Sequence, residues 1–409
     1  MLQAGLYSLC AALNLSFLKT ATRLFINFGF TQNYSMQFRD CIGQEPVQQR
    51  LINSVTNGRV HHAQLFFSSP GGGGLALALA FAQFVNCENK QPDDSCGECN
   101  SCKKMAKLVH PAITFTFPTV KKKNSTKVPV SVDYITEFRS FILANPFAEE
   151  SAWLEHINSG NRQGNITAAE CMEIVKSVKL KQVEGDYKIN IIWKPERFGK
   201  EGNRLLKLIE EPPANTLFLF VAENEEQILG TILSRCQITR LAPISPEDMQ
   251  DYLIANGVSE EQSLQIGLLA NGNIPYAKKL SKSSELVNEG LLTDWFSCVL
   301  KRKADLQKFV DSVSAQSKES IKNLLLHGSQ LCREALILQE SQLKTRLPEQ
   351  EEKIARWLGN RLDIDEIHQL RNEFETAFYS IERNANVKLL LLHISLRIDD
   401  IITQREVIV

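Results

Sequence analysis

Four cysteines, Cys87, Cys96, Cys99 and Cys102, stand at C-x8-C-x2-C-x2-C spacing in a stretch rich in Asp, Asn, Ser and Gly. Thiolates this close on a polar loop can converge on one tetrahedral ion, and a four-sulfur set suits Zn2+. Four protein ligands fill the coordination shell, so such a zinc is structural and leaves no open position for a substrate. Disulfide pairing is the rival chemistry. The other six cysteines, Cys10, Cys41, Cys171, Cys236, Cys298 and Cys332, are scattered and mostly in apolar surroundings. That is the pattern of buried thiols in a reducing compartment, here the cytoplasm.

A second candidate is Ser69-Pro70-Gly71-Gly72-Gly73-Gly74-Leu75-Ala76, which follows the apolar run Gln64–Phe67 and precedes a helix-like run from Leu77 to Val85. A glycine turn between a strand and a helix can cradle phosphate with its backbone N–H groups. The phosphate-loop pattern G-x-x-x-x-G-K-[ST] survives at Gly74. Ser69 stands for the first glycine, Leu75 for the lysine and Ala76 for the hydroxyl. The charge that grips the β- and γ-phosphates is gone, and so is the magnesium ligand, so ATP is not expected to bind productively. An ordinary tight turn is the alternative. Downstream, Lys188–Lys194 reads as a buried strand. A Walker B strand ends in acids; this one ends in Trp193 and Lys194.

Further elements must position these residues. Asn203 to Pro213 reads as a short amphipathic helix stopped by two prolines, Thr216–Ala222 as another buried strand, and Ile232-Leu233-Ser234-Arg235-Cys236 follows. Through the Leu205–Pro213 segment, the Ser234-Arg235-Cys236 triplet and the four cysteines, the chain resembles the clamp-loader branch of the AAA+ proteins. The resemblance runs from about Met36 to the C-terminus and is strongest between Asp186 and Leu241.

The resemblance implies an α/β fold: a P-loop-type parallel-sheet domain with a zinc module after the P-loop helix, a small helical lid and an all-α collar. It implies that Arg235 crosses a subunit boundary as an arginine finger for a neighbour's ATP site; a strand-end cap or a local ion pair is the alternative for this residue. The implied partners are ATPase motor subunits and a clamp-opening (delta) subunit, and through the complex a sliding clamp and primer–template DNA. Pro275 stands where active relatives carry a sensor arginine, and Ala222 or Glu223 where they carry a first sensor. A non-hydrolysing clamp-loader subunit is therefore expected. An active motor ATPase and a zinc-bearing adaptor unrelated to replication are the rivals.

The expected organisation is an α/β domain over 36–242, with the zinc module at 87–102 and an insertion at 113–181. A lid over 243–286 and a collar over 287–409 follow. Leu241-Ala242-Pro243-Ile244-Ser245-Pro246 marks the first boundary. Thr167-Ala168-Ala169-Glu170 predicts a capping box, and Asp133, Glu137, Glu149, Glu150 and Glu155 are expected to be solvated acids. A formal charge of −1 with 43% apolar residues describes a globular chain without the basic excess of a free-standing DNA binder. The Lys121-Lys122-Lys123 run reads as a solvated loop. Residues 1–35 hold no acid and a broken apolar pattern unsuited to a membrane span, and are expected to be a mis-called extension with Met36 as the start.

Overall fold

The computed structural model describes residues 36–121, 126–160, 162–179, 184–282, 290–301, 303–340, 347, 349–382 and 385–403. The reading of residues 1–35 as an extension lies outside the described residues, as do Lys122 and Lys123.

Five strands form one parallel sheet: β1 (Ala63–Phe67), β2 (Ile113–Thr116), β3 (Lys188–Trp193), β4 (Thr216–Ala222) and β5 (Gln237–Arg240). Their order is β2-β3-β4-β1-β5. Leu65 of β1 lies between Phe220 of β4 and Ile238 of β5. Both faces of the sheet are covered. Leu217, Leu219 and Val221 of β4 enter one core with Phe66, Ile189 and Ile191. Phe218 and Phe220 enter the other with Leu65 and Ile192. Burial on both faces is why the central strands β1, β3 and β4 read as largely apolar runs and not as alternating ones. The helix Gly74–Val85 buries all twelve of its residues. A helix enclosed on every side needs no polar stripe, and its sequence has almost none.

The described residues between 113 and 179 are bound tightly to this sheet. β2 pairs with β3 from Ile113↔Ile189 to Thr116↔Ile192. Beyond β2, the Phe117 and Phe138 rings stack at 3.9 Å, with Trp153 edge-on to both at 5.2 and 5.4 Å. The Trp153 indole donates to Pro118 O at 2.8 Å, so the buried ring keeps its polar atom satisfied. The helix Ala168–Lys179 starts with Glu170 N donating to Thr167 Oγ1 at 3.4 Å. The Glu170 carboxylate serves elsewhere: it accepts from Ser131 N at 2.6 Å and from Thr116 Oγ1 at 3.1 Å. Burial pushes its pKa up, and these donors pull against that.

One expectation is corrected here. Glu150 is not a solvated acid. It is 8% exposed and takes a two-point hydrogen bond from Arg197, Nε to Oε1 at 2.8 Å and Nη2 to Oε2 at 2.9 Å. A partner 47 residues away cannot be read from local pattern.

Three helices follow the sheet, Pro246–Ala255, Glu260–Ala270 and Ile274–Lys282. Ser245 and Ser259 cap the first two by accepting from Asp248 N and Gln262 N. Leu291–Lys301, Lys303–Ser314, Lys318–Glu340, Glu349–Arg361, Ile364–Glu382 and Val387–Thr403 then pack around a separate core that includes Trp295, Phe374 and Ile398.

Candidate functional site

The glycine loop sits at the C-terminal end of β1, where it makes the strand-to-helix turn. Gly71 and Gly73 take φ of 68° and 89°, which only glycine enters without strain. The loop is covered by the chain itself. A Cβ on Gly71 would lie 2.5 Å from Asn273 Oδ1 and 2.9 Å from Pro275 Cδ, and one on Gly73 would lie 3.2 Å from the Phe147 ring. Ile274 N donates to Gly71 O at 3.2 Å, and the Asn273 amide donates to Glu149. Pro275, at the expected sensor-arginine position, thus packs on the loop. Leu75 and Ala76, at the lysine and hydroxyl positions, are 4% and 7% exposed and belong to the core.

The end of β3 is inverted in charge. Lys194 adopts φ 63°, ψ 58°, a left-handed turn uncommon for a residue with a side chain. Its ammonium is buried against the carboxylate of Glu223. Burial raises the Glu223 pKa, and the attraction of Lys194 pulls it down. Glu196 Oε1 accepts from Glu223 N at 2.6 Å and from Asn224 N at 2.9 Å, fixing that turn. Trp193 lines the same hollow as Gly71–Gly74, Phe147 and Glu223. A fixed ammonium at the end of this strand, where the sequence reading looks for a metal-holding acid, disfavours a divalent cation.

The four cysteines meet. Their sulfurs all lie within 4.8 Å of one another and could hold a metal ion. Cys87–Cys96 and Cys96–Cys102 are 3.6 and 3.9 Å apart. A disulfide needs about 2.05 Å; sulfurs 2.3 Å from a shared tetrahedral centre stand about 3.8 Å apart. All four are free thiols. Backbone N–H groups point at them: Cys96 N at Cys87 Sγ, Glu98 N and Cys99 N at Cys96 Sγ, and Cys102 N at Cys99 Sγ, between 3.3 and 3.4 Å. Such donors favour thiolate. At Cys96 burial acts upward, but the donors from Glu98 and Cys99 prevail and bring the thiol to about 7. Gly97, at φ 76°, makes the turn between Cys96 and Cys99. The loop is also clasped to the start of the domain: Asp94 accepts from Phe38 N at 3.0 Å and Arg39 N at 3.1 Å, and Gln37 Nε2 donates to Ser95 O at 2.6 Å.

Arg235 lies on the other edge of the sheet. It ends the turn after the short helix Gly230–Leu233 and precedes β5, whose Gln237 is in register with Gln64 at the start of β1. The glycine loop follows the end of β1. Strand rise of about 3.3 Å per residue puts more than about 10 Å of sheet between the two. Arg235 cannot serve its own chain's loop. Its guanidinium donates to Glu210 Oε1 at 2.6 Å, to Thr231 O at 2.8 Å and to Ser234 Oγ at 3.2 Å.

Sequence reasoning missed the residues that cover the glycine loop. Phe147, Glu149 and Asn273 come from segments about 75 and 200 positions downstream. Only the turn chemistry of Asn145-Pro146 and Asn271-Gly272 hinted that these segments double back.

A family model described as "DNA polymerase III, delta subunit" matches residues 43–245. DNA polymerase III subunit delta' of Escherichia coli is 28% identical over 224 residues, 55% of this chain and 55% of that protein. Subunit delta' of Bacillus subtilis is 24% identical over 246 residues, 59% and 60% of the two chains. Subunit gamma of Buchnera aphidicola subsp. Acyrthosiphon pisum is 25% identical over 217 residues, 53% and 48%. The matched part spans about half the length of these curated relatives.

Proposed function

For a chain that belongs to the clamp-loader family of DNA polymerase III subunits, we propose the role of a non-hydrolysing, delta-prime-type subunit. It assembles with ATPase motor subunits and a clamp-opening delta subunit. The complex loads a sliding clamp onto primer–template DNA.

The observation that carries this reading is the opposition of the two sheet edges. On the C-terminal edge the nucleotide cradle has Leu75, Ala76, Trp193 and Lys194 where its charges and ligands belong, and Phe147 and Pro275 pack on its glycines. On the N-terminal edge Arg235 stands with a partly exposed side chain. A guanidinium there can grip the γ-phosphate oxygens of a neighbour's nucleotide and stabilise the charge that develops in transfer, an effect worth orders of magnitude in rate. In the same reading Cys87, Cys96, Cys99 and Cys102 hold a structural zinc, supported by their all-sulfur chemistry and tetrahedral spacing. The region 243–286 acts as the lid and 287–409 as the collar.

The test is the DNA- and clamp-stimulated ATPase of a reconstituted complex with this chain wild-type or Arg235→Ala. A fall of at least about 100-fold with assembly intact supports the trans-acting finger. A mutant equal to wild-type removes it. The similarity to a gamma subunit keeps the motor reading in play; Mg-ATP binding to the isolated chain decides in its favour.

A further inference from the structure

The contacts of Arg235 suggest how the finger is kept before it is used. Glu210 is the last residue of the helix Leu206–Glu210. A carboxylate at a helix C-terminus faces the negative end of the dipole, an unfavourable position unless a cation compensates. The cation is Arg235, whose Nη2 meets Glu210 Oε1 at 2.6 Å. The other two contacts, to Thr231 O and Ser234 Oγ, come from the turn that carries the arginine and both go to Nη1. Nη1 is therefore anchored locally, and Nη2 is held by a side chain from elsewhere in the chain. Of the donors left over, Nε is buried with no acceptor. The guanidinium is held at one end and incompletely satisfied at the other.

Resting on the finger reading above, we propose that Glu210 is a latch: it parks Arg235 on this chain's own surface until a phosphate group of a neighbouring subunit's nucleotide displaces it. The exchange is a carboxylate for a phosphate on the same guanidinium, with no bond made or broken. A phosphate brings more oxygens and more charge than one carboxylate to the same Nη2. The latch is weak enough to yield, since 49% of the Glu210 side chain and 29% of Arg235 are exposed. A pair this open favours the parked state by a factor of about two to five. Thr231 O and Ser234 Oγ keep the turn end of the guanidinium in place during the exchange. Glu210 is then a positioning residue that sets the nucleotide concentration at which the neighbour's site is completed, not the rate once it is.

The test uses the assembled complex with Mg-ATP as the probe. Glu210→Gln keeps the size and a hydrogen-bonding oxygen but removes the charge. Half-saturating ATP is expected to fall about two- to five-fold with kcat unchanged. In an Arg235→Ala background the same substitution is expected to change nothing. If Arg235→Ala slows hydrolysis while Glu210→Gln leaves half-saturation untouched, or lowers kcat as Arg235→Ala does, the latch is overturned and the finger stands. If Arg235→Ala has no effect, the finger is overturned and the latch with it. Glu210→Ala, with its thermal midpoint measured beside wild-type, separates loss of the latch from loss of the fold.

Discussion

Lys194 at the end of β3 buries its ammonium against Glu223 just past the end of β4, so the two strands that would hold magnesium and a sensor are joined by an ion pair. The pair neutralises a carboxylate that burial otherwise pushes toward protonation.

Removing the lysine leaves Glu223 without its cation. Lys194→Met is expected to destabilise the chain by about 2–3 kcal/mol at pH 7, at the low end for breaking a buried pair because Glu223 keeps some solvent contact. The sign with pH follows from the raised pKa. A protonated Glu223 needs no partner, so the loss shrinks as pH falls toward the ordinary carboxylate range and grows as pH rises through the raised value. Urea denaturation of both proteins at pH 5 and pH 7 measures this. A loss equal at both pH values contradicts it.

Putting the missing residues back into the glycine loop is not expected to restore nucleotide binding. In Leu75→Lys with Ala76→Thr, the new ammonium starts from a position 4% exposed, while Phe147 and Pro275 still pack on the loop and Lys194 still repels the metal. A lower thermal midpoint without Mg-ATP affinity is the expected result, read by fluorimetry and by titration with a fluorescent ATP analogue.

One zinc per chain is expected by elemental analysis of protein prepared without added metal. Protons compete with the ion for four sulfurs, but the ion itself holds them deprotonated, so zinc is expected to be retained at pH 7 and 8 and released only in acid. Chelation is expected to speed amide exchange at Phe38 and Arg39, whose N–H groups end on Asp94 of the metal loop. Asp94→Asn is expected to loosen those amides while keeping the zinc.

Glu150→Gln is expected to cost about 2 kcal/mol, since it weakens a two-point charge-assisted contact to Arg197 in a mostly buried place. Glu155→Gln, at an exposed position of the same helix, Glu150–His156, is expected to stay within about 0.5 kcal/mol of wild-type. Equal effects in thermal denaturation contradict the pairing.

The strands β1, β3 and β4 were legible because burial on both faces writes itself as an apolar run. The convergence of the four cysteines was legible because they are close in sequence and chemically rare. Glu150, Lys194 and Phe147 were not. Each owes its role to a partner far along the chain: Arg197 for Glu150, Glu223 for Lys194, and Gly73 for Phe147. An acid followed by Ser-Ala-Trp looks alike whether it faces water or a guanidinium. Residues 195–202 also escaped: they follow a tight 3-10 path interrupted at Gly199, which takes φ 50°, ψ −139°.

The place of β1 in the sheet has a consequence for how the chain is made. Its two neighbours, β4 and β5, end at Ala222 and Arg240, about 150 residues or more after Phe67. At about 5–20 residues per second, a ribosome delivers β4 some 8–30 s after β1. Leu65, Phe66 and Phe67 wait that long without a strand beside them, next to the wholly apolar Gly74–Val85 segment. The nascent chain thus carries its stickiest stretch early and shields it late.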